Sequence, residues 1–314
     1  MSVVLVTPHR FPDLEPELAV LAPLGAELVE TASPDEFARR APEAAALLVS
    51  STPVGAELIA RLPDCRAIVR YGIGVEVVDV EAATAAGIPV GNVVDASVDE
   101  VADHTVAMAL ALLRRLPAAA ALVEAEGWSL APVSGVRRLR GLVAGIVGLG
   151  RIGQAVAQRL EAFGLEIIGF DPYASGGRYP LVELDELLAR ADVVSVHVPL
   201  TDDTRGLLSI DRLARLRPTS VLVNVARGGI VDERAVALML ESDRLAGAGF
   251  DVFEREPLPG NHPLRRSPGA LLTPHVAWYS EQSLREVQRK AAEQVARALR
   301  GEPLAPIVNP AVYD

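Results

Sequence analysis

Short apolar runs alternate with helix-like stretches along this chain. Val3–Thr7, Glu27–Thr31, Ala45–Ser50 and Ala67–Tyr71 have strand length, and the segments between them end in turn residues. That alternation predicts parallel strands joined by crossover helices. A fifth run, Val90–Val94, follows the turn Gly87-Ile88-Pro89. A long helix is then expected from Ser97. Ser97 and Glu100 have the spacing of a capping box, and Val101, Thr105, Met108, Leu112 and Leu113 fall on one side.

The pattern restarts near Gly141. Val143–Val147, Glu166–Phe170, Val193–Val198, Ser220–Ala226, Ala246–Asp251 and Ala270–Thr273 read as strands of a second α/β layer. Ser280–Arg300 reads as another long amphipathic helix, and Pro303, Pro306 and Pro310 beyond it suit an extended segment. No internal repeat or low-complexity tract interrupts the series.

Composition narrows the possibilities. A length of 314 residues suggests two domains. The net charge of −11 argues against nucleic acid and anionic membranes as partners. Aromatic residues make up only 4%, so base-stacking platforms are not expected. No apolar run approaches the ~18 residues of a membrane helix, and Met1–Thr7 reads as a first strand rather than a signal core, so a cytoplasmic location is expected. Cys65 is the single cysteine and reads as a small buried hydrophobe. No metal site is expected.

The stretch Leu142–Pro172 carries the most chemistry. An apolar run leads into Gly148-Leu149-Gly150-Arg151-Ile152-Gly153, a helix opens at Arg151, and a second apolar run ends just before Asp171. Gly148 permits a tight turn, Gly150 a close approach of backbone to a pyrophosphate, and Gly153 close packing of helix on strand. The helix N-terminus offers N–H groups and a positive dipole end to phosphates. Asp171 lies where a carboxylate can accept hydrogen bonds from an adenosine ribose. Dinucleotide binding is therefore expected.

In open parallel sheets, ligands bind beyond the carboxyl ends of the strands. The residues falling there include His197–Thr204, Ala226-Arg227-Gly228-Gly229, Asp251–Glu256 and His275. A guanidinium at Arg227 can clamp a carboxylate bidentately. A histidine such as His275 can donate a proton near neutral pH, and a carboxylate such as Glu256 on its other ring nitrogen would fix its tautomer. His9, His104, His197 and His262 read as structural.

These motifs together resemble the D-isomer-specific 2-hydroxyacid dehydrogenases. The resemblance rests on Gly148–Gly153 with Asp171, Asn224–Gly229, Asp251-Val252-Phe253 with Glu256-Pro257, and Thr273-Pro274-His275. Val69–Gly74, Ala96–Thr105 and Ala277–Gln282 resemble the C-terminal-binding protein branch, with Trp278 as its most distinctive mark. The resemblance implies NAD as cofactor and hydride transfer between nicotinamide and C2 of a 2-oxo or D-2-hydroxy acid. Arg227 would hold the substrate carboxylate, His275 would act as acid and base, and Glu256 would support His275. Arg151, Ile152, Val198, Thr204, Val225, Ala226 and Asp251 would line the cofactor groove, Asp251 beside the carboxamide. The loop Arg70-Tyr71-Gly72-Ile73-Gly74 would bind substrate through backbone N–H groups, and Trp278 would form an apolar wall of the pocket.

The implied architecture is α/β, two doubly wound parallel-sheet domains with a cleft between them. A Rossmann nucleotide domain, residues 98–282, is inserted into a flavodoxin-like substrate domain made of residues 1–97 and 283–314. The inserted domain would supply a homodimer interface, and the length leaves no room for the regulatory C-terminal domain of long phosphoglycerate dehydrogenases. Glu76-Val77 and Ile73 depart from the family pattern and bear on the shape of the substrate pocket. An alternative is an NAD(H)-sensing binding protein of the corepressor type, against which the intact Arg227, Glu256 and His275 set argues. A phosphite or formate dehydrogenase is a further alternative. Formate enzymes of the family carry Gln beside the His, so Glu256 argues against formate.

Overall fold

Two all-parallel sheets carry the chain. The computed structural model describes residues 2–314. They form two units, one running to Ser97 and resuming at Ser280–Asp314, the other spanning Val98–Tyr279.

The first unit holds β1 (Ser2–Val6), β2 (Ala26–Glu30), β3 (Ala46–Val49), β4 (Ile68–Arg70) and β5 (Val90–Gly91). Their order is β2-β1-β3-β4-β5, the flavodoxin-like arrangement. Period-two alternation sends Val4 and Val6 to one core and Leu5 to the other. Both faces are covered, which is why these strands read as continuous apolar runs. The helix Glu281–Leu299 lays Val287, Ala291, Ala292 and Val295 into the core with Val4 and Val6. Its start is fixed by a capping box between Ser280 and Ser283.

β5 stops three residues before the expected Val94. The C-terminal tail meets it there: Gly91 bridges Ile307 in antiparallel sense, and Val90 N–H donates to Asn309 Oδ1 at 2.7 Å. Beyond Gly91 the chain turns away, with Val93 N–H donating to the Gly72 carbonyl at 3.1 Å. The tail thus caps an edge that would otherwise expose backbone groups.

The second unit holds β6 (Val143–Val147), β7 (Glu166–Phe170), β8 (Val193–Val196), β9 (Val221–Asn224), β10 (Gly247–Phe250) and β11 (Ala270–Leu272), in the order β11-β10-β9-β8-β6-β7. A single parallel bridge from Gly169 to Leu181 lies beyond β7. Counting that bridge as a vestigial strand gives the dinucleotide-fold order, whose direction reverses between β6 and β8. β9 is shorter than its apolar run because Asn224 turns the chain. Its Oδ1 accepts from Ala226 N–H at 3.1 Å and its Nδ2 donates to the Arg227 carbonyl at 2.9 Å.

The helix Arg151–Ala162 buries Gly153, Val156, Ala157 and Leu160, one stripe at helical spacing, against the helix Val98–Leu113 and β6. A further helix, Leu116–Glu124, follows at a 64° bend after Arg115, which takes a left-handed φ of 51°. Among the described residues no single helix is long and apolar enough to cross a membrane.

Candidate active site

The glycine-rich turn lies at the reversal point of the second sheet, between β6 and the helix Arg151–Ala162. Gly148 has φ 94°, and a Cβ there would meet the His197 backbone at 2.8 Å. A Cβ on Gly153 would collide with the Gly148 carbonyl oxygen, whereas one on Gly150 would meet nothing within 4 Å. The turn is therefore packed tightly on two sides and open at Gly150. Gly150 is the N-cap and offers no side chain to the first helical turn. N–H groups and the positive dipole end face that open space, which fits a dinucleotide pyrophosphate. Asp171 is locked by backbone, its Oδ2 accepting from Leu149 N–H at 2.9 Å and its Oδ1 from Tyr173 N–H at 3.0 Å. The glycine turn and the acid are one hydrogen-bonded unit.

At the carboxyl ends of β9, β10 and β11 the structure brings Arg227, Glu256 and His275 together. His275 Nδ1 lies 2.7 Å from Glu256 Oε2, and Glu256 Oε1 accepts from Phe253 N–H at 3.0 Å. Partial burial by itself raises the Glu256 carboxyl. The hydrogen bonds from His275 and Phe253, with the charges of His275 and Arg227, outweigh burial and hold its pKa below the usual range. Arg227 is half-buried and donates from Nη1 to the Ala226 carbonyl at 2.7 Å. His275 takes a left-handed φ of 57°, a conformation a histidine rarely adopts and one the surroundings must enforce.

Asp251 enforces it. Fully buried, its carbonyl accepts from His275 N–H at 2.8 Å, and its carboxylate accepts from Thr273 Oγ1 at 2.6 Å, Val276 N–H at 2.9 Å and Ala277 N–H at 2.8 Å. The Trp278 indole N–H donates to the His275 carbonyl at 3.1 Å, and its ring packs on the core beneath the helix Val98–Leu113. Both residues were expected at ligands, and both also shape the turn that carries His275. His104 reaches the same turn, its Nε2 3.1 Å from Thr273 Oγ1.

The other expected groove residues lie around the sheet ends. Val198 is half-buried near Gly148, Val225 is buried, Ala226 is half-buried, and Thr204 Oγ1 donates to the Pro199 carbonyl at 2.6 Å in an exposed loop. His197 Nε2 is 2.7 Å from Ser195 Oγ, and burial pushes its pKa down to about 3. Cys65 is buried, with its thiol pushed up to about 12 by desolvation.

In the first unit, the loop Arg70–Gly74 follows β4. Arg70 folds back on its own loop, its Nη1 against the Tyr71 carbonyl, so Gly72 (φ 113°) has no space for a side chain. The Asn92 amide donates to the Ile73 carbonyl at 2.7 Å. The Tyr71 phenol is buried and donates to Glu17 Oε1 at 2.7 Å, while Gln288 donates to both Glu17 oxygens. Burial raises the Glu17 carboxyl. Sequence reasoning missed Glu17, which occupies the polar-looking start of a short helix, and Glu233, which lies behind the Glu256 loop.

Residues 106–277 match the family model described as D-isomer specific 2-hydroxyacid dehydrogenase, NAD binding domain. D-3-phosphoglycerate dehydrogenase of Mycobacterium tuberculosis is 41% identical over 281 residues, 88% of this chain and 53% of that protein. The chain thus spans about half the length of the curated relatives it first matches. The TT0316 protein from Thermus thermophilus superposes with a TM-score of 0.89 at 35% identity, covering 98% of this chain and 99% of that one. NAD-dependent formate dehydrogenase from Staphylococcus aureus, solved with NAD, superposes with a TM-score of 0.85 at 29% identity, covering 98% and 99%.

Proposed function

This chain belongs to the D-isomer-specific 2-hydroxyacid dehydrogenase family, with an NAD-binding domain, and we propose that it interconverts a 2-oxo acid and its D-2-hydroxy acid. The observation that carries the reading is the His275–Glu256 contact beside Arg227 at the strand ends of the nucleotide unit.

The residues divide the work. Gly148–Gly153 and Asp171 hold the dinucleotide, with Arg151, Ile152, Val198, Thr204, Val225, Ala226 and Asp251 around it. Bound NAD(H) supplies or accepts the hydride at substrate C2. Arg227 binds the carboxylate through its planar fork and polarises the adjacent carbonyl. His275 keeps Nδ1 on Glu256, which leaves Nε2 to give a proton to the carbonyl oxygen in reduction and to remove it in oxidation. The Glu256 carboxylate stabilises the imidazolium and fixes the ring. The loop Arg70–Gly74 takes part in substrate binding, and Trp278 favours an apolar substrate side chain.

A homodimer accords with one surface of the second unit. The helix Leu116–Glu124 buries none of its residues, and Leu116, Val123, Trp128 and Leu130 around it are exposed, Trp128 by 91%. Four large exposed apolar residues within fifteen positions fit a surface that a second copy of the chain could cover.

The deciding experiment is a panel of 2-oxo acids graded by side-chain size and charge, with NADH oxidation as the readout. Turnover of at least one member is expected. NADH binding without turnover of any would overturn the dehydrogenase reading and favour a corepressor-type sensor.

A further inference from the structure

Behind the Glu256 loop lies a second carboxylate–histidine contact that the mechanism does not use. Glu233 opens the helix Glu233–Glu241 yet is buried, 7% exposed. Its Oε1 accepts from Glu254 N–H at 2.6 Å, and its Oε2 lies 3.3 Å from His262 Nε2. The peptide that donates to Glu233 joins Phe253 to Glu254. On its other side lies Gly228, where a Cβ would collide with the Phe253 carbonyl. One residue back, Phe253 N–H donates to Glu256 Oε1. The peptide is thus held by a missing side chain and a buried carboxylate, and the next N–H towards the chain start aims Glu256 at His275.

We propose that Glu233 is a positioning residue for the acid/base pair. By anchoring the Phe253–Glu254 peptide it fixes the distance between Glu256 and His275. This rests on the dehydrogenase reading of that pair. His262 completes the anchor as a neutral donor. Its Nδ1 is buried with no partner, so an imidazolium would leave a buried N–H unpaired, whereas the Nε2–H tautomer leaves only an acceptor. Charges of both signs surround the contact. Asp232 and Arg234 face it from the helix, Glu254 and Glu256 from the loop, and Arg265 from the turn Pro263–Arg265. Burial first, then Arg234 and Arg265, lowers the His262 pKa, and burial with the neighbouring carboxylates raises that of Glu233.

The test compares Glu233→Ala, which removes the acceptor, with Glu233→Gln, which keeps an amide oxygen at the Glu254 N–H. Two readouts are taken: steady-state reduction of the best 2-oxo acid, and NMR titration of the imidazoles, of which the chain has five. Glu233→Ala should lower kcat about tenfold or more with KM and NADH Kd within about threefold. Its His275 titration should depart from that of wild type and approach that of Glu256→Gln. Glu233→Gln should keep kcat within about threefold. Should Glu233→Ala fail to fold, Glu233→Asp carries the same expectation, because it withdraws the carboxylate by one methylene. A wild-type kcat and His275 titration in the folded Ala or Asp variant overturns the proposal, as does a Gln variant as impaired as Ala. The titration needs no turnover, so a wild-type protein inert towards every 2-oxo acid would overturn the dehydrogenase reading and leave the Glu233 test readable.

Discussion

Gly150 and Gly153 lie three residues apart in one turn, and the structure assigns them opposite costs on substitution. At Gly153 an added Cβ runs into the Gly148 carbonyl oxygen, a backbone atom that cannot swing aside. The helix Arg151–Ala162 must shift off β6, and overpacking of this kind costs about 1–3 kcal/mol. For a unit of this size, that lowers Tm by about 2–10 °C. Gly150 has φ −66°, which alanine adopts freely, and a Cβ there meets nothing. The reduced freedom of the unfolded chain stabilises by about 0.4–1 kcal/mol, and the poorer N-cap offsets about as much. Gly150→Ala should therefore leave the apo Tm within about 2 °C. The added methyl instead fills the space assigned to the pyrophosphate, so NADH Kd should rise about tenfold or more, ~1.4 kcal/mol. Calorimetry of the apo proteins and titration with NADH give the two numbers for each variant. If Gly150→Ala binds NADH within about threefold of wild type, or melts as early as Gly153→Ala, the turn does not cradle the phosphates in this way.

Arg227→Lys should lose at least about 100-fold in kcat/KM, ~2.7 kcal/mol, because a lysine cannot reproduce a planar two-point contact; NADH affinity measured alongside should change much less. Asp171 should disfavour a 2′-phosphate by about 1–3 kcal/mol, so the kcat/KM preference for NADH over NADPH should narrow in Asp171→Ala, and equal use of both by wild type would remove this role. His197 stays neutral in the fold down to about pH 3, whereas the unfolded chain takes up its proton below about pH 6.5. Stability should therefore fall with pH across that window, and urea unfolding of His197→Gln should show a slope shallower by up to about one proton; identical slopes would mean the ring titrates normally. Trp128→Glu should turn a dimer into a monomer by light scattering without changing the fold seen by circular dichroism, and a monomeric wild type would discard the surface around the helix Leu116–Glu124 as an interface.

What the sequence disclosed was set by near neighbours and by period. Strands β6 and β7 follow from apolar runs covered on both faces, and Gly148, Gly150 and Gly153 follow from what one turn requires of its backbone. The contact of His275 with Glu256 was anticipated because their residue types suit each other at the ends of neighbouring strands. The support beneath them was not legible, because its partners are separated in sequence and joined only by the sheet. Asp251 serves donors at Val276 and Ala277, and Glu233 serves Glu254. Seen alone, Asp251 is an acid at a strand end and Glu233 an ordinary first-turn residue of a helix. The helix Leu116–Glu124 was hidden for a different reason. None of its residues is fully buried, so its apolar positions follow no inward-facing stripe.

A division of labour follows from these placements. The groups proposed to exchange protons and hold charge, His275, Glu256 and Arg227, sit half-exposed at strand ends. An exposed loop is mobile unless something fixes it. Here it is fixed from below by buried carboxylates that accept backbone N–H groups: Asp251 under the turn of His275 and Glu233 under that of Glu256. A buried carboxylate without such donors would be costly, and a loop without such acceptors would wander. Each requirement is met by the other. Loss of Glu233 should therefore harm the reaction through geometry, and the damage should appear in kcat before it appears in the affinity for NADH.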